Sequence, residues 1–133
     1  MNLVKSMLKL AIAQAEKVEI AHNNRFRIGA VVFNGWEVLN VGHCNANVQH
    51  SNAFYYRHGK LYQPLHAEFD ALWNCRNTNG SDIIVVRIDS FGNLKMAKPC
   101  KFCHGLIKRL GIRKIYYTND DGILCKINPL EED

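Results

Sequence analysis

Apolar positions recur at helical spacing in the opening segment, where Leu3, Met7, Leu10, Ala11 and Val18 fall with Gln14 along one face. That stretch holds no Pro or Gly and many good helix formers, so Leu3 to Ala21 is predicted to be an amphipathic helix. Asn23-Asn24 breaks the pattern, and Phe26 to Phe33 reads as a buried strand rich in Val and Ile. Asn34-Gly35 is a two-residue hairpin signal, returning the chain as a second strand from Trp36 to Gly42. Ala46 to Leu65 has no clear period and contains Asn, Ser, Gly and Pro; the expectation is a long loop, and loops of that length in small domains are usually functional.

Helical spacing resumes from His66 to Cys75, with Phe69, Leu72 and Trp73 on one apolar side facing the core. Ile83 to Ile88 is a continuous β-branched run of the kind found in central strands. After the turn Phe91-Gly92-Asn93, Pro99 is expected at the first helical position of a further helix, which runs to Leu110 and stops at Gly111. Ile112 to Thr118 and Ile123 to Ile127 read as strands. The connection Asn119 to Gly122 is too short for a helix, so these two should pair as an antiparallel hairpin. The order helix, two strands, helix, strand, helix, two strands predicts an α/β fold with one sheet and helices packed on it.

With 133 residues, the chain is the length of one domain, and residues 1–133 are expected to form it without repeats or linkers. A 47% hydrophobic and 22% charged composition is that of a globular protein. The net charge of +5 leans toward an anionic partner such as a nucleotide or nucleic acid. No apolar run approaches the roughly 20 residues of a membrane span, and the polar residues within Met1 to Ala21 argue against a signal peptide. Five Cys, an odd number with one close pair, point to reduced thiols and a cytoplasmic, reducing compartment rather than a disulfide framework.

The chemistry lies at the predicted starts of two helices. Cys100 and Cys103 are three residues apart, which puts both sulfurs on one face of a first turn, where the helix dipole favours thiolate. His66 would add a nitrogen from the neighbouring helix. Two thiolates and an imidazole suit Zn²⁺ and leave a fourth position for water. Glu68, two residues beyond the histidine, is placed to contact that water and move its proton without being a ligand. Cys-x-x-Cys alone also serves structural and redox roles. In combination, His66-Ala67-Glu68 and Pro99-Cys100-Lys101-Phe102-Cys103 match the zinc deaminase signature H-x-E…P-C-x-x-C.

On those residues the chain resembles the cytidine and deoxycytidylate deaminase superfamily. The likeness implies a three-layer α/β/α fold with a central five-stranded mixed sheet. It also implies hydrolytic conversion of cytosine to uracil with release of ammonia. Phe26-Arg27-Ile28-Gly29-Ala30-Val31 resembles the strand that floors the family's pocket, and Gly42 to Asn45 resembles its glycine and asparagine after the second strand. By that resemblance Asn45 (with Asn47 as competitor), Phe26 and Ala67 are substrate-binding candidates, and association into homo-oligomers is common among such folds. Two departures mix the subfamilies. Asn45-Ala46-Asn47-Val48 lacks the Glu with which free cytidine deaminases hold ribose, and His66 stands where they commonly have Cys. The terminal hairpin, by contrast, resembles the free-nucleoside branch.

The loop before His66 holds Tyr55, Tyr56, Arg57 and Lys60, besides His50, Phe54, His58 and Tyr62. Stacking aromatics with cations compose a single-strand binding surface, so the expected substrate is cytosine in single-stranded nucleic acid. A free pyrimidine nucleotide or nucleoside (deoxycytidylate or cytidine) is the alternative. An adenine-acting tRNA-type editor and a catalytically inactive zinc-containing nucleic-acid-binding domain are further ones; Glu68 speaks against the last, since a structural site needs no such carboxylate. Cys44 and Cys75 are read as core fillers and His104 as solvent-facing. Lys108, Arg109, Arg113 and Lys114 are read as charges complementing a helix C-terminus.

Overall fold

The computed structural model describes residues 2–18, 26–49, 55–57, 60–62, 64–73 and 75–130. Helix α1 spans Leu3–Glu16, capped by the Asn2 side chain, which accepts from the Val4 and Lys5 amides. It ends earlier than its sequence pattern suggests, because Lys17 and Val18 bond back to Gln14 and Ala15 in tighter i→i−3 turns. Glu19 to Ala21 lie outside the described residues. Its buried stripe is Met7, Ala11 and Ala15, with Val18 just beyond, whereas Leu10 is 41% exposed and off the core face.

Strands β1 (Phe26–Asn34) and β2 (Glu37–His43) form the expected hairpin, with Gly35 at φ 57° in its turn. The stretch expected to be a loop is instead paired with itself. Strand β3 (Asn45–Gln49) pairs antiparallel with β6 (Pro64–Leu65), and between them β4 (Tyr55–Arg57) pairs with β5 (Lys60–Tyr62). A long connection leaves many backbone donors and acceptors to satisfy, and self-pairing does so without any apolar period to announce it.

Helix α2 (Ala67–Leu72) follows, then β7 (Asp82–Asp89), β8 (Leu94–Lys95), α3 (Lys101–Arg109), β9 (Lys114–Thr118) and β10 (Leu124–Ile127). The central sheet runs β10-β9-β7-β1-β2. The five expected strands are joined by short β8, which pairs with the far end of β7 at Arg87 and Ile88. Among the described residues only β7 and β9 pair in parallel, so the sheet is mixed, and β9 with β10 makes the expected antiparallel hairpin.

The alternation of β7 sorts two cores. Ile84, Val86 and Ile88 pack with Met7, Ala11 and Ala15 of α1. Ile83 and Val85 pack on the other face with Ala67, Ala71 and Leu72 of α2 and Ile107 of α3. The result is the three-layer α/β/α arrangement. Gly42 lets α2 lie directly on β2, because a Cβ there would fall 2.5 Å from the Ala71 nitrogen and 2.6 Å from the Ala67 oxygen. Among the described residues, no helix is long and apolar enough to cross a membrane.

Candidate active site

Helix α2 is shorter than its pattern predicts. The Ala71 carbonyl accepts from the Asn40 side chain of β2 at 2.8 Å, and Trp73 leaves the helix in an extended conformation. Trp73 is therefore 39% exposed rather than buried in the core, stacked on Phe69 at 5.3 Å. His66 is the N-cap, and its extended backbone (φ −83°, ψ 148°) carries the ring away from the helix. At α3 the N-cap is Cys100, so Pro99 stands one residue before the cap rather than at the first helical position. The Cys100 carbonyl opens the helical ladder by accepting from His104 N–H at 2.8 Å. Gly111, at φ 77°, follows the end of that helix as expected.

These two starts converge. His66 Nδ1 lies 3.4 Å from Cys103 Sγ and 3.7 Å from Cys100 Sγ, and the three donor atoms fall within 4.8 Å of one another. Ideal tetrahedral Zn²⁺ sites, with Zn–S near 2.3 Å and Zn–N near 2.05 Å, separate sulfur and nitrogen by about 3.6 Å. The trio therefore fits Zn²⁺ in both donor chemistry and spacing. Phe69 and Phe102, the residues beside Glu68 and Cys103, stack at 6.1 Å and hold α2 against α3.

Without a cation, the sulfurs and the ring share protons unequally. The Cys103 thiol and the nearby His66 ring hold Cys100 down to about 4. Cys103, buried and bonded to that thiolate, is pushed far up, and the Cys100 contact raises His66. Glu68 is 5% exposed, and burial lifts its carboxyl above the ordinary range.

Glu68 walls a pocket of about 200 Å³ together with His66 and Cys100. Ile28 and Cys44 line its floor, and the Cys44 thiol accepts from the Ile28 amide at 3.3 Å. Cys44 is half-buried, packing against the core as expected while it also lines the pocket. Arg87 and the segment Met96 to Lys98 complete the wall. That segment is suspended from the end of β9. Thr118 binds the Lys95 carbonyl through its hydroxyl and the Ala97 amide through its own carbonyl, both at 2.8 Å, and Asp120 accepts from Met96 N–H at 3.0 Å. A larger hollow of about 430 Å³ beside Glu37, Asn40, Trp73 and Arg76 contains none of the donor trio.

Of the residues singled out in the sequence, His66, Glu68, Cys100 and Cys103 come together. Ala67, between the first two, is fully buried under α2 in the core. The side chains of Phe26, Asn45, Tyr55, Tyr56, Arg57 and Lys60 lie outside what the structure describes, as do His50 and His58. His104 is half-buried, 2.7 Å from the Pro129 carbonyl, instead of facing solvent. Lys108 and Arg109 occupy the last turn of α3, whereas Arg113 forks onto Asp82. Sequence reading passed over Arg87 and Lys98. Arg87 carried a signal, a single charge inside the β-branched run Ile83 to Ile88.

A family model for the cytidine and deoxycytidylate deaminase zinc-binding region matches residues 1–119, and the chain belongs to that family. No curated protein matches it by sequence. Among solved structures it is similar to cytidine deaminase from Burkholderia pseudomallei, at 20% identity over 94% of this chain and 91% of that one, TM-score 0.64. It is also similar to dCMP deaminase from cyanophage S-TIM5 in complex with dCMP and dUMP, at 22% identity over 90% and 85%, TM-score 0.61. Cytidine deaminase from Mycobacterium leprae aligns at 20% identity over 95% and 94%, TM-score 0.55. These likenesses establish the fold. Family membership implies a hydrolytic deaminase.

Proposed function

We propose that the chain hydrolyses the amino group of cytosine to give uracil and ammonia, with His66, Cys100 and Cys103 holding Zn²⁺ and Glu68 moving the protons. The observation that carries this reading is the buried Glu68 carboxyl in the pocket wall beside the donor trio. A Zn²⁺ held by three protein donors supplies a Lewis acid that activates water near neutral pH.

The chain's own residues do the rest. Burial places Glu68 in a low-dielectric wall and raises its pKa, which suits a group that must both accept and release a proton. Its carboxylate takes a proton from the attacking water and delivers it to ring N3. A second transfer protonates the amino group at C4, which leaves as ammonia. Atoms balance as cytosine plus water giving uracil plus ammonia. Ile28 and Cys44 close the floor, limiting bulk water around the base.

Cytosine in single-stranded nucleic acid is a second reading, supported by the hairpin inserted just before His66. Its register sets Tyr55 opposite Tyr62 and Arg57 opposite Lys60, which brings aromatic and basic residue types together in one hairpin. The deciding experiment offers the zinc-loaded protein dCMP, cytidine, adenosine and single-stranded oligonucleotides side by side and measures ammonia release. Activity confined to adenosine would sink the cytosine reading.

A further inference from the structure

The family match ends at residue 119, yet the hairpin of β9 and β10 runs on beyond it and reaches back to the pocket. Met96 and Ala97 line that pocket with His66, Glu68 and Cys100. They belong to the stretch between β8 and α3 and to neither element, so their backbone groups need partners from elsewhere. The hairpin supplies them. Buried Thr118 accepts from the Ala97 amide and donates to the Lys95 carbonyl, each at 2.8 Å, fixing the chain on either side of Met96. Met96 N–H itself donates to the Asp120 carboxylate at 3.0 Å. The turn that carries Asp120 is tied to itself: the Asn119 side chain accepts from the Asp121 and Ile123 amides, both at 2.9 Å, and Gly122 turns at φ 75°.

We infer that Asp120 is a positioning residue of the active site: by holding the Met96 amide, it sets the Met96 side chain as the wall on which the cytosine ring packs. The inference rests on the cytosine reading above. A thioether makes favourable contacts with an aromatic ring, but its unbranched chain is flexible and adapts to whatever surrounds it. Met96 is 39% exposed, whereas Ala97 beside it is 6% exposed, so core packing fixes the second residue and not the first. What places Met96 is therefore its backbone, and a carboxylate accepting from an amide is a charge-assisted anchor for it.

The chain has three methionines, Met1, Met7 and Met96, so methyl-labelled methionine makes the wall visible by NMR. Zinc-loaded protein is titrated with uridine, dUMP and a trinucleotide with a central deoxyuridine, the products of the substrates compared above. The Met96 signal, assigned with Met96→Leu, should shift with whichever product binds. Asp120→Ala should move that signal in the free protein and raise both the product Kd and the substrate KM about three- to tenfold. Its kcat should change less, with zinc content and the acid limb of the pH profile unchanged. Asp120→Asn keeps an oxygen acceptor and should recover most of the affinity. Met96→Ala leaves the hairpin alone and should raise the same constants, which carries the comparison if Asp120→Ala does not fold. A Met96 signal that ignores every product overturns the inference. So do unchanged Kd and KM in Asp120→Ala, or an Asp120→Asn protein no better than Asp120→Ala. A loss of activity that only follows lost zinc or a lower melting temperature assigns Asp120 to stability and overturns it as well. If no substrate releases ammonia, yet Met96 responds to a product whose binding Asp120→Ala weakens, the positioning role stands and the deaminase reading falls. Cytosine turnover indifferent to both substitutions leaves the deaminase reading standing and ends this one.

Discussion

The backbone N–H of His43 donates to the Asp70 carboxylate at 3.1 Å, tying the edge strand to α2 two residues beyond Glu68. With the Asn40 bond to Ala71, side-chain hydrogen bonds fix both the start and the end of a six-residue helix that is too short to be stable alone. Asp70→Ala should leave the His43 donor unsatisfied and cost about 1–3 kcal/mol. Urea unfolding measures it, and a cost within error of zero would show that the helix is held by packing alone.

Zinc content is the most direct check on the donor set. Elemental analysis should find about one equivalent per chain, and Cys103→Ser should lose most of it, since a hydroxyl is a poor zinc ligand. The same variant should melt at lower temperature, because metal binding at such a site is partly folding free energy. Full zinc retention would refute the assignment of Cys103.

Glu68→Gln should keep zinc and fold while activity falls by at least about 10²–10⁴-fold, the range for losing one general acid–base group. Burial raises the Glu68 pKa, and the group must be ionised to accept a proton. The acid limb of kcat/KM should therefore lie above the ordinary carboxylate value of about 4.3. A limb at or below that value would remove Glu68 from the role.

In metal-free protein, Cys100 should titrate at about 4, followed by the ultraviolet absorbance of its thiolate and absent in Cys100→Ser. The sign follows from linkage. A thiol pKa depressed in the folded state contributes stability fully above the unfolded thiol pKa, and that stability is lost as pH falls through about 4. Metal-free wild type should thus lose its stability advantage over Cys100→Ser on acidification, and a constant difference across that window would contradict the shift.

Gly42→Ala tests the helix–strand contact. The added Cβ meets backbone at Ala71 and Ala67, which cannot rotate away, so α2 must lift from β2. Overpacking of this kind costs about 1–3 kcal/mol, and here it also displaces His66 and Glu68. Unfolding and zinc affinity should weaken together; unchanged zinc affinity would show that the site tolerates the shift.

The chemistry was more legible in the sequence than the geometry around it. The donor residues His66, Cys100 and Cys103 stand out as a motif, and Cys100 and Cys103 do so because a spacing of three puts both sulfurs in one helical turn. The β-branched run of β7 marks a central strand for a similarly local reason. What sequence patterns missed depends on partners distant in the chain. Strands β3 and β4 find their partners in β6 and β5, and β8 is paired with the end of β7. Trp73 turns outward where α2 ends in an extended residue, two positions after the Ala71 carbonyl that accepts from Asn40. Cys44 packs against the core as a small apolar residue does, but its place in the pocket wall beside Ile28 depends on the pairing of β1 with β2.

His66 stands 34 positions before Cys100 and 37 before Cys103, and the whole of β7 lies between. The two sulfurs meet as soon as one turn of α3 winds, so the pair is ready to capture a cation early. The imidazole is brought to the sulfurs by long-range contacts, with β7 lying between β1 and β9 and α3 in the crossover that links β7 to β9. An ion bridging that gap restricts the unfolded ensemble as a covalent staple would, with a closure term that grows only slowly with span. A cation held by the trio would therefore link two distant stretches of the chain and steady the topology as well as the site.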